Sequence, residues 1–75
     1  MKTEDAIKKL NEHFGRDCLS VDVQDHFTHF RINLPHKWGQ EIPLTFSDAR
    51  VYNILQYGEY TSVLLSIQTS KLVLL

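Results

Sequence analysis

The stretch LSVDVQDHFTHFRINL, residues 19–34, decides the fold because apolar and polar residues alternate on both sides of its polar centre. Strict alternation puts apolar side chains on one face of a β-strand and polar side chains on the other. If the two halves pair as an antiparallel hairpin, Val21 faces Phe30 and Leu19 faces Ile32 on the apolar face. One register therefore predicts a half-buried hairpin for the whole stretch.

The polar face and the turn of this hairpin follow from the same register. Asp22 faces His29, and the central turn residues are Asp25 and His26. This pair is not of the Asn-Gly or Asp-Gly type that two-residue hairpin turns favour. A longer loop that extends to Thr28 is therefore the alternative.

An amphipathic helix is predicted for residues 3–14, ahead of the hairpin. Ile7, Leu10 and Phe14 recur at helical spacing and form one apolar stripe. Gly15 follows directly and suits the left-handed conformation that ends many helices. The boundaries of this helix are therefore well marked in the sequence.

A short third strand is predicted after a loop at residues 35–40. Ile42, Leu44 and Phe46 alternate with other residues and form its inward face. Pro43 has no N–H group to donate to a neighbouring strand. The third strand is therefore expected at an edge of the sheet.

Residues 48–57 have two interpretations. Ser47 suits the N-cap of a helix, the apolar residues after it fall on one helical face, and Gly58 can end the helix. The β-branched and aromatic residues of the segment favour instead a strand through residues 51–57 with a turn at residues 58–59. We prefer the helix.

Residues 60–75 have the strongest β pattern of the chain. Val63, Leu65 and Ile67 alternate, residues 69–70 can turn, and the apolar alternation continues beyond them. This pattern predicts a C-terminal hairpin.

These elements predict one α+β domain over residues 1–75. Its antiparallel sheet has about five strands, with an N-terminal helix and a second helix, in the order α-β-β-β-α-β-β. A content of 43% hydrophobic and 23% charged residues is typical of a globular protein.

Charge and cysteine content limit the classes of function. Eight Lys and Arg residues balance nine Asp and Glu residues, so no basic footprint for a nucleic acid stands out. Cys18 is the only cysteine, and a chain without an intrachain disulfide fits a reducing compartment. No apolar stretch approaches the ~20 residues that span a bilayer, and the acidic start has no signal-peptide pattern. We therefore expect a soluble, cytoplasmic protein.

Motifs for catalysis or metal binding are weak. Cys18 has no base in a recognisable nucleophile motif, and the three glycines are too far apart for a phosphate loop. His26 and His29 are three residues apart, so in a strand their side chains point to opposite faces. This spacing does not favour a zinc site. We expect no enzyme, no cofactor and no metal. This profile is common among accessory proteins of bacteria and phages that act by binding a partner.

The predicted C-terminal hairpin is the main functional lead because it has apolar residues on both faces. Leu64, Val73 and Leu75 fall on the face opposite the predicted core, and Tyr57 and Tyr60 can form the rim of an interface. An uncovered strand of this kind would pair with a second copy or with another protein. The leading hypothesis is a non-enzymatic protein-interaction module that forms a homo-oligomer through its C-terminal strands. In the alternative, the helices cover this face and the tail is central in the sheet.

Single-stranded nucleic-acid binding is the second functional hypothesis. His29 and Arg31 on the outer hairpin face, with Lys37 and Trp38 in the following loop, combine cations with stacking groups. Only the arginine and the lysine carry full positive charges, and Asp22 lies beside them. The pattern favours weak, salt-sensitive binding.

Overall fold

The computed structural model describes residues 1–35, residue 37 and residues 48–75. The described elements are helix α1 (Thr3–Phe14), strands β1 (Cys18–Val23), β2 (Phe27–Leu34), β3 (Ala49–Tyr57) and β4 (Tyr60–Gln68), and helix α2 (Thr69–Leu74). These strands form one antiparallel sheet in the order β1-β2-β4-β3. The α+β class with an antiparallel sheet is therefore confirmed.

The first hairpin has the register that the alternation predicts. Val21 lies opposite Phe30 and Asp22 lies opposite His29. The one difference is at the start of β1, where a register irregularity places Cys18 opposite Ile32. Leu19, predicted to face inward, is 54% exposed as a result.

The N-terminal helix is also confirmed, and it ends as the sequence predicts. Gly15 has a φ of 66°, in the left-handed region that an L side chain adopts only with strain. Its N–H donates to the carbonyl oxygen of Asn11 at 2.9 Å. This bond satisfies one of the carbonyl groups that the helix end leaves without an intrahelical donor.

The preferred helix at residues 48–57 is wrong, because this segment forms strand β3. Tyr57 pairs with Tyr60, so only Gly58 and Glu59 connect β3 to β4. The φ of Gly58 is 58° while that of Glu59 is not positive, as in the type II′ turns that suit tight hairpins. The competing interpretation, a strand with a turn at these two residues, is the one observed.

The predicted C-terminal hairpin is wrong as well. β4 runs without a break through residues 60–68 and has β2 on one side and β3 on the other. At its end Thr69 donates its N–H to the carbonyl oxygen of His26 at 2.9 Å and its hydroxyl to that of Gln24 at 2.7 Å. These bonds attach the chain to the β1–β2 turn, and helix α2 begins there.

The described residues thus contain four strands, in the element order α-β-β-β-β-α, where the sequence predicted about five strands and the order α-β-β-β-α-β-β. The predicted third strand at residues 42–46 lies outside the described residues. No helix within the described ranges is long and apolar enough to cross a membrane.

The core lies between one face of the sheet and the two helices. The ring of Phe14 at the end of α1 stacks on Phe30 with 5.6 Å between centroids. Fully burying a large apolar side chain contributes roughly 1.5–3 kcal/mol, so this layer dominates the stability of the domain. The buried hydrophobic residues are Ala6, Leu10, Phe30, Ile32, Leu34, Val63, Leu65, Ile67 and Leu72.

Candidate functional site

The candidate site is the face of the sheet opposite α1 and α2, here called the outer face. Its residues follow from the strand registers and from the alternation of side chains along each strand. They are Ser20 and Asp22 of β1; Phe27, His29, Arg31 and Asn33 of β2; Tyr60, Ser62, Leu64, Ser66 and Gln68 of β4; and Arg50, Tyr52, Asn53, Leu55 and Tyr57 of β3.

The composition of the outer face differs from that of an ordinary solvated surface. The four described strands place no lysine and no glutamate on it, whereas they place tyrosine, phenylalanine and arginine there. Protein interfaces are enriched in aromatic residues and arginine and depleted in lysine and glutamate. The outer face therefore shares its aromatic and arginine content with binding surfaces, while its serines and Asp22 are types that interfaces contain less often.

A contact between Tyr52 and His29 crosses the centre of this face. The two residues belong to β3 and β2, which are separated by β4, and their ring centroids lie 5.4 Å apart at an interplanar angle of 85°. The register shift between Val51 and Asn53 places an extra residue, Tyr52, in β3. Such bulges redirect side chains, and here the tyrosine lies over the neighbouring strand in an edge-to-face contact.

Tyr52 and Phe27 flank a hollow of about 460 Å³. Phe27 and Tyr52 are 48% and 51% exposed, so about half of each residue's surface remains accessible. His29, Arg50 and Ser66 complete most of its wall. An adjoining hollow of about 380 Å³ shares Phe27, Arg50 and Ser66. The two hollows form one groove between exposed rings.

Positive groups predominate around this groove. Arg50 lines both hollows, and Lys71 of α2 lines the second. The acidic residue in that wall, Asp48, accepts a hydrogen bond from Nε2 of His13 at 2.9 Å. The groove therefore suits a ligand that carries a negative group beside an apolar or aromatic one.

Arg31 lies deeper on the outer face than Arg50. Its Nε is buried and has no hydrogen-bond partner among the described residues. Next to it along the sheet, the hydroxyl of Ser62 is fully buried and donates to Oδ1 of Asn33 at 2.7 Å. The end of the outer face that carries Phe27, Arg50 and Tyr52 is exposed, and so is the β3–β4 turn at the other end, where Tyr57 and Tyr60 are 45% and 42% exposed.

The interface residues named from the sequence fall into two groups. Leu64 is half-buried on the outer face, and Tyr57 and Tyr60 stack at 5.3 Å at the β3–β4 turn. Val73 and Leu75 instead lie at α2, where they line a separate groove of about 550 Å³ beside α1. The structure thus brings three of the five to one face and leaves the other two in a different place.

The residues named for nucleic-acid binding are also separated. His29 and Arg31 share the outer face, while Nζ of Lys37 lies 3.7 Å from a carboxylate oxygen of Glu59. Trp38 lies outside the described residues. The sequence analysis missed Arg50 and Tyr52 as members of this face because it preferred a helix for their segment, and only strand pairing places them beside Phe27 and His29.

Cys18 lies at the edge of the core, away from the groove. Burial raises the pKa of its thiol to about 11, and the negative charge of Asp17 adds to the rise. A thiol with such a pKa stays protonated at neutral pH and is a poor nucleophile. In the described ranges, no three His, Cys, Asp or Glu side chains come together as a metal site requires.

The comparisons with known proteins found no match. No protein-family model matches the chain, and no curated protein or solved structure matches it.

Proposed function

We propose that this chain is a non-enzymatic protein-interaction module that binds a protein partner through the outer face of its sheet. The observation that carries the proposal is the pair of exposed rings, Phe27 and Tyr52, which flank a groove together with Arg50. Aromatic residues and arginine are enriched in interfaces, and tyrosine and arginine among the residues that dominate binding energy.

Strand pairing holds the residues that carry the two exposed rings in fixed positions, which favours binding. Phe27 and Tyr52 belong to β2 and β3, and β4 pairs with both strands. A tyrosine loses little conformational entropy when it is covered, and each aromatic side chain buries roughly 150–250 Å². The strands therefore hold two large apolar groups in place before a partner arrives.

Charge indicates the kind of partner. Arg50 and Lys71 face the groove from two sides, while Asp48 is already bonded to His13. A partner that presents a carboxylate next to an aromatic or aliphatic side chain would match both features. The outer face of a second copy is a poor match because it would bring Arg50 near other cations.

Site-specific photo-crosslinking in the source cells tests this proposal. We would compare Tyr52→p-benzoylphenylalanine with Leu74→p-benzoylphenylalanine, because Leu74 is 84% exposed but lines neither hollow of the groove. We expect the probe at position 52 to form a discrete adduct that protease removes and nuclease does not. The probe at position 74 should form none of that mass.

Two results would contradict the proposal. Adducts only from position 74 would move the binding surface to the α2 region, where Val73 and Leu75 lie. No adduct from either position would remove protein binding as the function of both surfaces. Circular dichroism and thermal melts of both labelled proteins confirm that each is folded.

Single-stranded nucleic-acid binding remains a second candidate, supported by the position of Arg31 and His29 beside Tyr52 on one face. Exposed rings stack on bases at roughly 1–3 kcal/mol per base, and cations bind the phosphates. The net charge of −1 weighs against strong binding. A labelled oligothymidylate, titrated by fluorescence anisotropy at ~50 mM and ~200 mM salt, tests it. Binding should fall with salt and with Tyr52→Ala; no binding at low salt removes the candidate.

A further inference from the structure

The groove on the outer face continues into a further hollow against β1, and together they form a longer trough. This hollow has a volume of about 340 Å³, and Ser20 and Asp22 lie in its wall. It shares His29 and Tyr52 with the hollow of about 460 Å³, which adjoins the hollow beside Lys71. The trough therefore runs across the strands from β1 to β3 and α2.

The two ends of this trough carry opposite charges. Asp22 lies at the β1 end. Arg50 and Lys71 lie at the other end, and among the described residues neither of these side chains makes a hydrogen bond or an ion pair. Asp48 also lines that end, but its carboxylate is bonded to His13. An occupant of the trough therefore meets an acid at one end and two unpaired cations at the other.

We infer that the occupant is an amphipathic α-helix of about three turns, supplied by the protein partner. Its N-terminal end lies at Asp22, and its C-terminal end lies at Arg50 and Lys71. This inference rests on the proposed function because it uses the same face of the sheet. It adds the secondary structure and the direction of the bound segment.

The strands that form the floor of the trough favour a helix over an extended segment. β2 pairs with β1 and β4, and β4 pairs with β2 and β3, so the backbone groups of both central strands are used within the sheet. An extended segment laid across them would bury its own N–H and C=O groups without partners, whereas a helix bonds these groups internally. The opposite face of the same sheet is covered by α1 in this way.

The width of the sheet gives the length of the helix. Neighbouring strands are about 4.8 Å apart, so β1 and β3 are separated by about 14 Å across β2 and β4. Three helical turns span about 16 Å. The exposed rings of Phe27 and Tyr52 line the trough and would contact apolar side chains that recur every three or four residues along one face of the helix.

The charges at the two ends give the direction of the helix. The last four C=O groups of a helix have no donor within it, and its C-terminal end carries roughly half a negative charge. Arg50 and Lys71 supply donors and positive charge for this end. The same chemistry occurs within the chain, where Nζ of Lys9 donates to the carbonyl oxygens of Val73 and Leu75 at the end of α2, at 2.9 and 3.0 Å. The acid at the β1 end correspondingly suits the N–H groups of the first turn.

Peptide selection tests this inference before a partner is known. A phage library of random peptides of about 16 residues, long enough for three turns and flanking residues, is panned against the wild-type protein. We expect enriched peptides to carry an apolar stripe and to become helical on binding, as measured by difference circular dichroism. Tyr52→Ala should weaken their binding about tenfold or more. Tyr57→Ala is the matched control, because this tyrosine of β3 is similarly exposed but lines none of the three hollows, and it should leave the affinity unchanged.

A nitroxide label on a synthetic copy of an enriched peptide tests the direction. At the C-terminus of the peptide, the label should broaden the amide NMR signals of Arg50 and Lys71 more than that of Asp22. At the N-terminus it should broaden the signal of Asp22 more. A diamagnetic label at each position is the control.

Three results would overturn the helix: no enriched peptide, peptides that stay extended when bound, or peptides that bind Tyr52→Ala as tightly as the wild type. The reverse pattern of broadening would overturn the direction. Thermal melts show whether both variants are folded. A photo-crosslink from position 52 to a protein in cells can persist when the peptide test fails, so the proposed function is judged separately.

Discussion

The two faces of the sheet are formed by the same strands but differ in how far their apolar side chains are buried. Along β4, Leu65 is fully buried under the helices, while its neighbour Leu64 is half-buried on the outer face. On the helix-covered face, the apolar side chains are buried by helices of the same chain. The outer face has exposed rings and a groove, so part of its apolar surface stays accessible to solvent in the single chain.

The surface of α1 extends this comparison. Its solvent side carries charged residues of both signs, as expected of a helix that only needs to remain in water. The outer face has aromatic and arginine side chains in their place. The charged surface of α1 and the aromatic surface of the sheet therefore differ in kind within one small domain. The charged residues of α1 include Glu4, Asp5, Lys8, Lys9 and Glu12.

The largest expected effect compares the two adjacent leucines. Leu65→Ala should lower the free energy of unfolding by roughly 2–5 kcal/mol, because it leaves a cavity in the closed layer. Leu64→Ala should cost about 1 kcal/mol or less, because its environment is already partly solvent. Urea denaturation measures both. Equal losses would show that the two faces are equally packed and would contradict the comparison.

The next effect concerns binding to the partner identified by crosslinking. Phe27→Ala and Tyr52→Ala should each weaken this binding about thirtyfold or more, as expected for residues that contribute 2 kcal/mol or more to an interface. Neither change should lower the free energy of unfolding by more than about 1 kcal/mol. Leu74→Ala is the control and should leave the affinity unchanged. Titration calorimetry with the purified partner provides the measurement.

A smaller effect is expected where α2 is attached to the first hairpin. Thr69→Val removes the hydroxyl that donates to the carbonyl oxygen of Gln24 and keeps the shape of the side chain. The loss should be about 1 kcal/mol, with faster amide exchange in α2 than in β4. The neighbouring exposed change Ser70→Ala is the control. If exchange increases equally in both variants, the hydroxyl does not attach the helix.

The smallest effect is alkaline destabilisation through Cys18. The pKa of its thiol rises from 9.0 to about 11 in the folded chain, so the folded state keeps a proton that the unfolded state has lost. The free energy of unfolding should therefore be unaffected by this group below pH 9.0 and should fall as the pH rises towards about 11. Cys18→Ala should lack this part of the decline in denaturation curves measured across that interval.

The first part of the chain could be predicted closely because its signals are local. Gly15 ends α1, and the alternation through residues 19–34 sets the hairpin register. In residues 48–57 the local preferences for helix and strand are nearly balanced. The segment forms a strand because Tyr57 pairs with Tyr60 across a two-residue turn. Tyr60 lies beyond residues 48–57, so the segment alone does not reveal this pairing.

The candidate site was less predictable than the fold. The sequence analysis placed His29 and Arg31 on one polar strand face, and the structure agrees. It could not place Tyr52 beside His29, because the contact depends on the strand order and on the bulge in β3. No local pattern in the sequence indicates this bulge.

The sequence by itself determined the class, the first helix and the first hairpin of this protein, because the spacing of apolar residues there allows only one face to be buried. The tertiary structure determined which secondary structure residues 48–75 adopt. β4 has β2 on one side and β3 on the other, and after it Thr69 bonds to the first hairpin where helix α2 begins. The same long-range pairing placed Tyr52, Phe27 and Arg50 on one face and created the groove there.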